Sequence, residues 1–156
     1  QFDSQICFNE DLLMNTMLFQ RASKSVYEDV CLYHYIRREG SACKSRLEDK
    51  HVFHPVSVRE KIMELCQNES ADIQRIACKN YLHANISTYS MLLKKEAASY
   101  KSCRAQYRRN LIDKKFVLGV LPCASRMHAY LIIYAPFLCK AVHALYYRLF
   151  SKKTYG

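Results

Sequence analysis

The residues of this chain that could do chemistry are eight cysteines, six histidines and a few closely spaced carboxylates. His51 and His54 flank a short stretch, and Cys139 and His143 stand at i, i+4, on one face of any helix that contains them. Either pair could supply two metal ligands. A catalytic site needs a third and a closed site a fourth, and none falls at diagnostic spacing. Glu60 and Glu64 lie one turn apart on a short polar segment, the usual setting of solvated surface charges. There is no Gly-x-Ser-x-Gly, no His-Glu-x-x-His, no Gly-rich phosphate loop and no calcium loop. The expectation is a non-enzymatic protein with no metal and no cofactor.

The cysteines stand widely apart, at Cys7, Cys31, Cys43, Cys66, Cys78, Cys103, Cys123 and Cys139, with no Cys-x-x-Cys among them. That spacing speaks against zinc ribbons and redox motifs and, with an even count, for disulfides in an oxidising compartment. Up to four bridges are expected, each contributing about 2–4 kcal/mol, and eight cysteines leave 105 pairings open. Asn68-Glu69-Ser70 and Asn85-Ile86-Ser87 are glycosylation sequons. The chain opens at Gln1 without Met or an apolar leader, as after removal of a signal peptide. Secretion to the extracellular space is the expectation.

Cys31 to Cys66 and Cys43 to Cys78 are both thirty-five residues apart. Ala42-Cys43-Lys44 in the first copy answers to Ala77-Cys78-Lys79 in the second. A period of this length marks a repeated supersecondary unit and predicts two similar helix hairpins, about residues 25–60 and 61–95. Cysteines with tyrosines between them, Cys31…Tyr35…Cys43 and Cys123…Tyr130…Cys139, resemble the BICYCLE proteins of aphid salivary glands, which are named for two cysteine–tyrosine–cysteine motifs. The motifs cover under a fifth of the chain, and the Cys66–Cys78 interval departs from them in having no Tyr. The resemblance implies a salivary effector and carries over no enzymatic residue. Cys78–His83 also looks like the Cys-Lys segment of pancreatic-type ribonucleases, but that fold is strand-rich and its two catalytic histidines have no counterparts here.

Net charge is unevenly divided. Residues 1–78 carry ten Lys/Arg against twelve Asp/Glu, and residues 79–156 carry fourteen against two, with nine of the twelve Tyr. Such asymmetry points to an anionic partner. The candidate partner-binding residues are Lys94, Lys95, Lys101, Arg104, Tyr107, Arg108, Arg109, Lys114 and Lys115, with Arg104 placed so that it could instead turn inward. The partner expected is a protein or an anionic glycan, through a basic Tyr-rich face. A membrane surface is also compatible, and nucleic acid is disfavoured in an extracellular setting. The alternative is a membrane-active cationic toxin or sperm-type protein using the apolar segment 116–150. A carrier of apolar small molecules is a third reading. Oligomeric state stays open.

The elements that must position these residues read as helices. Half of the chain is hydrophobic, and only three Gly and three Pro occur, too few for a turn-rich β fold. At 156 residues it can form one domain, burying roughly 70% of its unfolded surface. The expectation is an all-α, disulfide-stabilised, compact bundle of about five to seven helices, with a mobile tail at 151–156. Residues 10–38 read as one or two helices with a possible break at Ser23-Lys24-Ser25. Pro55 predicts a loop over 51–55, followed by a capping box at Ser57–Glu60. A helix carries Ile73, Ile76, Ala77, Tyr81 and Ala84, and Asn85–Thr88 reads as a fresh start. Leu93, Ala97, Tyr100, Arg104, Tyr107 and Leu111 form the clearest stripe. Met127, Leu131, Tyr134, Leu138, Val142, Leu145 and Leu149 form another, kinked or split by Pro136 and expected in the core. No run of about 20 apolar residues offers a membrane span.

Overall fold

A computed structural model describes residues 9–31, 49–93, 95 and 97–150, with side chains throughout except at 49–53, 147, 149 and 150. Among these residues there are six α-helices, two 3₁₀ segments and no strand, so the fold class is all-α. The chain divides into two compact units, Gln1–Leu65 and Cys66–Gly156.

In the first unit, α1 (Glu10–Arg21) follows Asn9, whose left-handed φ of 62° suits a short polar side chain. Glu10 and Asp11 in its first turn and Arg21 in its last complement the helix dipole. The helix stops at Ala22, next to the Ser23-Lys24-Ser25 break, and residues 24–31 form neither helix nor turn. Val26 and Val30 are exposed there, where continued helix was expected. A helix gains most of its stability by burying a face, and no described residue covers these β-branched side chains.

The second helix, α2 (Asp49–Leu65), runs straight through the expected loop at 51–55. Pro55 removes one intrahelical donor, a loss offset by burial of Val56 and Val58 just beyond it. Ser57 therefore lies inside a helix, and its Oγ donates to the His54 carbonyl at 3.1 Å instead of capping an N-terminus. Leu13 of α1 packs with Val58 and Ile62 of α2, and Gln20 Nε2 donates to the Leu65 carbonyl at 2.9 Å.

The second unit opens with a 3₁₀ turn, Cys66–Asn68, followed by α3 (Ala71–Leu92). Gln74 Nε2 reaches back to the Gln67 and Glu69 carbonyls at 2.9 and 2.8 Å and stitches the turn to the helix. Next come α4 (Ala98–Asp113), a 3₁₀ segment (Lys115–Val120), α5 (Cys123–Tyr134) and α6 (Pro136–Phe150). The long helix α3 is the centre of this unit, packed by α4, α5 and the second 3₁₀ segment. Its inward face runs Ala77, Tyr81, Leu82, Ala84, Ile86, Tyr89 and Leu92, while Ile73 and Ile76 in its first turns are exposed. Tyr107 and Leu111 of α4, Leu118, Leu121, and Ala129, Ile132 and Ile133 of α5 complete the core.

Asn85–Thr88 does not restart a helix. α3 continues through it because Asn85 and Thr88 are buried and the Asn85 amide is satisfied. Asn85 Nδ2 donates to the Tyr81 carbonyl at 2.9 Å, Asn110 Nδ2 donates to Asn85 Oδ1 at 2.8 Å, and Gln106 Nε2 donates to Asn110 Oδ1 at 2.9 Å.

Pro136 splits the C-terminal run as expected, since α5 ends at Tyr134 and the proline opens α6, the position it tolerates best. The stripe expected in the core is largely exposed, however, beginning with Met127 and Tyr134 on α5. Leu138, Val142 and Leu145 are 54%, 50% and 57% exposed, and α6 turns inward at Cys139 and half-buried His143. Among the described residues no helix is long and apolar enough to cross a membrane.

The six described cysteines are free thiols, so the expected bridges are not formed among them, and Cys7 and Cys43 lie outside the described residues. Burial pushes the Cys66, Cys78 and Cys139 thiols up, reinforced at Cys66 by Glu69 and opposed at Cys78 by Lys114. Cys31 is exposed on irregular chain, whereas Cys66 is buried in a 3₁₀ turn. The thirty-five-residue spacing thus does not correspond to a shared local structure at these two positions.

Candidate functional site

The basic residues singled out by the sequence sort into two groups with different duties. Arg104 of α4 places Nη1 2.7 Å from both the Leu92 and Lys95 carbonyls, at the end of α3. Arg108, one turn on, donates from Nε to the Ile132 and Ile133 carbonyls at 3.2 and 3.1 Å, and from Nη2 to Ile133 at 2.6 Å. Both carbonyls belong to the last turn of α5. Arg126 does the same for the Lys115–Val120 segment, donating from Nη2 to the Gly119 and Leu121 carbonyls at 3.3 and 3.1 Å.

The physical reason is common to all three. The final carbonyls of a helix have no partner within it and carry its negative end, so a forked cation satisfies both needs. Arg126 Nε is buried without a partner, a cost of that position. Arg104 and Arg108 are thus structural donors, and both leave the partner-binding set. Tyr107 leaves it too: it is buried between them in sequence, and desolvation, with the nearby Cys103, holds its hydroxyl well above the usual tyrosine range.

Four of the remaining cations face solvent. Lys101 and Arg109 are exposed two turns apart on α4, and Lys114 and Lys115 follow at its end. Lys115 Nζ stands 5.0 Å from the Phe116 ring centroid. Lys95 is half-buried, with Nζ 3.2 Å from the Tyr100 hydroxyl and 4.6 Å over its ring. Lys94 lies outside the described residues. Arg108 and Arg109 also line an open depression of about 530 Å³ with Ser102, Ala105, Gln106, Ile112 and Asp113. The geometry offers a shallow, partly charged surface there.

One pairing missed in the sequence could suggest nucleophilic chemistry. Ser90 Oγ lies 3.3 Å from His128 Nε2. The hydroxyl has a single proton, and Oγ is 2.8 Å from the Ile86 carbonyl, which claims it. His128 is then the donor, the wrong polarity for a general base acting on Ser90. Desolvation, aided by the His143 charge, pulls the His128 pKa below its usual value. Among the described residues no three His, Cys, Asp or Glu side chains gather to hold a metal.

The two sequons part company. Asn68 is exposed at the end of a 3₁₀ turn, whereas Asn85 is fully buried with its amide nitrogen already bonded. Asn85 is therefore corrected from glycosylation candidate to core amide. No protein-family model, no curated protein and no solved structure matches this chain.

Proposed function

We propose that this is a secreted, non-enzymatic effector or ligand that binds an anionic extracellular or host macromolecule, a protein or glycan, through the solvent-facing cations of α4 and the segment after it. The observation that carries this reading is the exposure of Lys101, Arg109, Lys114 and Lys115, two of them on one helix and two at its end. Asp113 is the last acidic residue, so the forty-three residues that follow it hold only cations. Repulsion among such charges is relieved by a bound polyanion, and long-range attraction speeds the encounter. Secretion is supported by the exposed Asn68 sequon and the resemblance to salivary effectors.

Retention on immobilised heparin tests this. Replacement of Lys101, Arg109, Lys114 and Lys115 by Ala should move elution to markedly lower salt, because each lost contact reduces the salt sensitivity of binding. Elution at the wild-type salt concentration would remove the electrostatic basis of the proposal.

A further inference from the structure

α6 presents an apolar surface that its own fold does not cover. Phe137 is 90% exposed, and Leu138, Val142 and Leu145 are each half exposed or more, with Ala141 and Ala144 between them. At 100° per residue these positions share one broad arc, while Cys139 and His143 occupy the opposite, inward face. Tyr146 is exposed towards the far end of the helix, and Tyr134 just before its start.

The charges on and around the arc decide what fits it. Lys140 and Arg148 are exposed on α6, and the tail adds Lys152 and Lys153. With no acidic residue anywhere in this stretch, pairing of two α6 faces would set like charges against each other. A membrane span is excluded by length, since fifteen residues of helix reach only about 22 Å against roughly 30 Å of hydrocarbon. The arc is also convex, carried by one helix, so a rigid partner would need a matching groove, whereas a bilayer conforms. Lys140 flanks the apolar face, and Arg148 lies in line with it at the C-terminal end, where a long side chain can reach back to the headgroups; this matches the requirements of a helix lying in a lipid headgroup layer.

We propose that α6 docks in the plane of an anionic bilayer surface, with Phe137, Leu138, Val142 and Leu145 entering the headgroup–acyl boundary and Lys140 and Arg148 meeting lipid phosphates and carboxylates. This surface uses side chains other than the cations of α4.

The chain contains no Trp, so Leu145→Trp in the full-length protein gives a reporter free of background. Mixed phosphatidylcholine–phosphatidylserine vesicles should blue-shift its emission, and pure phosphatidylcholine should bind at least about tenfold more weakly. Adding Phe137→Ser and Leu138→Ser should lower partitioning at least about tenfold, the loss expected for two apolar side chains. Both positions are exposed, so helicity and melting should stay unchanged and separate lost binding from unfolding. Four results would overturn the proposal: no emission change with anionic vesicles, equal binding to both vesicle types, undiminished binding of the serine variant, or a shift without lipid that grows with protein concentration. The last would assign the face to self-association. Failure here leaves heparin retention intact, because the two readouts use different side chains.

Discussion

Arg108 and Arg109 are neighbours in sequence, and the structure assigns them opposite consequences on mutation. The Arg108 guanidinium spans the Ile132 and Ile133 carbonyls through three contacts of 2.6–3.2 Å. Hydrogen bonds from a charged donor contribute about 1.5–3 kcal/mol each. Because Arg108 is half-buried, water can partly replace it, and two effective bonds discounted for this give a loss of about 2–3 kcal/mol in Arg108→Ala. For a unit of roughly this size each kcal/mol moves the melting temperature by about 4–8 °C, so a fall of about 10–20 °C is expected. Arg109→Ala, on the exposed side, should stay within about 0.5 kcal/mol of the parent. Arg108→Lys should recover only part of the loss, since an ammonium keeps the charge but not the fork. Thermal and urea unfolding followed by circular dichroism, paired with heparin elution, make the comparison. Arg109→Ala should weaken retention without changing the melt. Equal melting of the two alanine variants, or full rescue by Lys, would refute the view that Arg108 works as a helix-end donor.

Two further outcomes follow from buried groups. In a glycosylating secretory host, any N-glycan should sit on Asn68, with Asn68→Gln abolishing the mass increment and Asn85→Gln leaving it; a glycan on Asn85 would contradict its burial. The lowered His128 pKa means that the unfolded chain takes up its proton before the folded one. The associated stability is complete above about pH 6.5 and is lost as pH falls through that value towards the lowered one. His128→Gln should flatten this part of the urea-midpoint profile between about pH 8 and 5, and an unchanged slope would place the acid sensitivity elsewhere.

The helical class was legible in the sequence, as was the separation of α5 from α6 at Pro136, but the apolar stripes marked the core only in part: Tyr81, Tyr107 and Leu111 are buried, whereas Ile73, Ile76, Met127 and Tyr134 are exposed. Local punctuation was less reliable. Pro55 and Asn85 read as breaks because each opposes helix in isolation, and tertiary contacts overrode both, through Val56 and Val58 in one case and Asn110 in the other. The site was legible only in outline. Arg104 stood on the apolar stripe and so hinted at its inward role. Arg108 carried no comparable mark, because its partners are backbone carbonyls of a helix about twenty-five residues later. The exposure of α6 was hidden for the converse reason: periodicity identifies an apolar face but not whether another element covers it.

The amides that link α3 to α4 have a consequence for how these helices find each other. Aliphatic stripes can interlock in more than one alignment, since a slide of one turn, about 5.4 Å, merely exchanges one apolar contact for another. Asn85 and Asn110 make that exchange expensive. After such a slide the buried Asn85 would lose the Asn110 donor to its carbonyl oxygen, at about 1–3 kcal/mol for a buried polar group left unpaired. The pair thus acts as a registry key. Its worth lies less in the depth of the native minimum than in the height of its competitors, and replacing both residues with Leu could yield a protein that is no less stable but no longer confined to a single alignment.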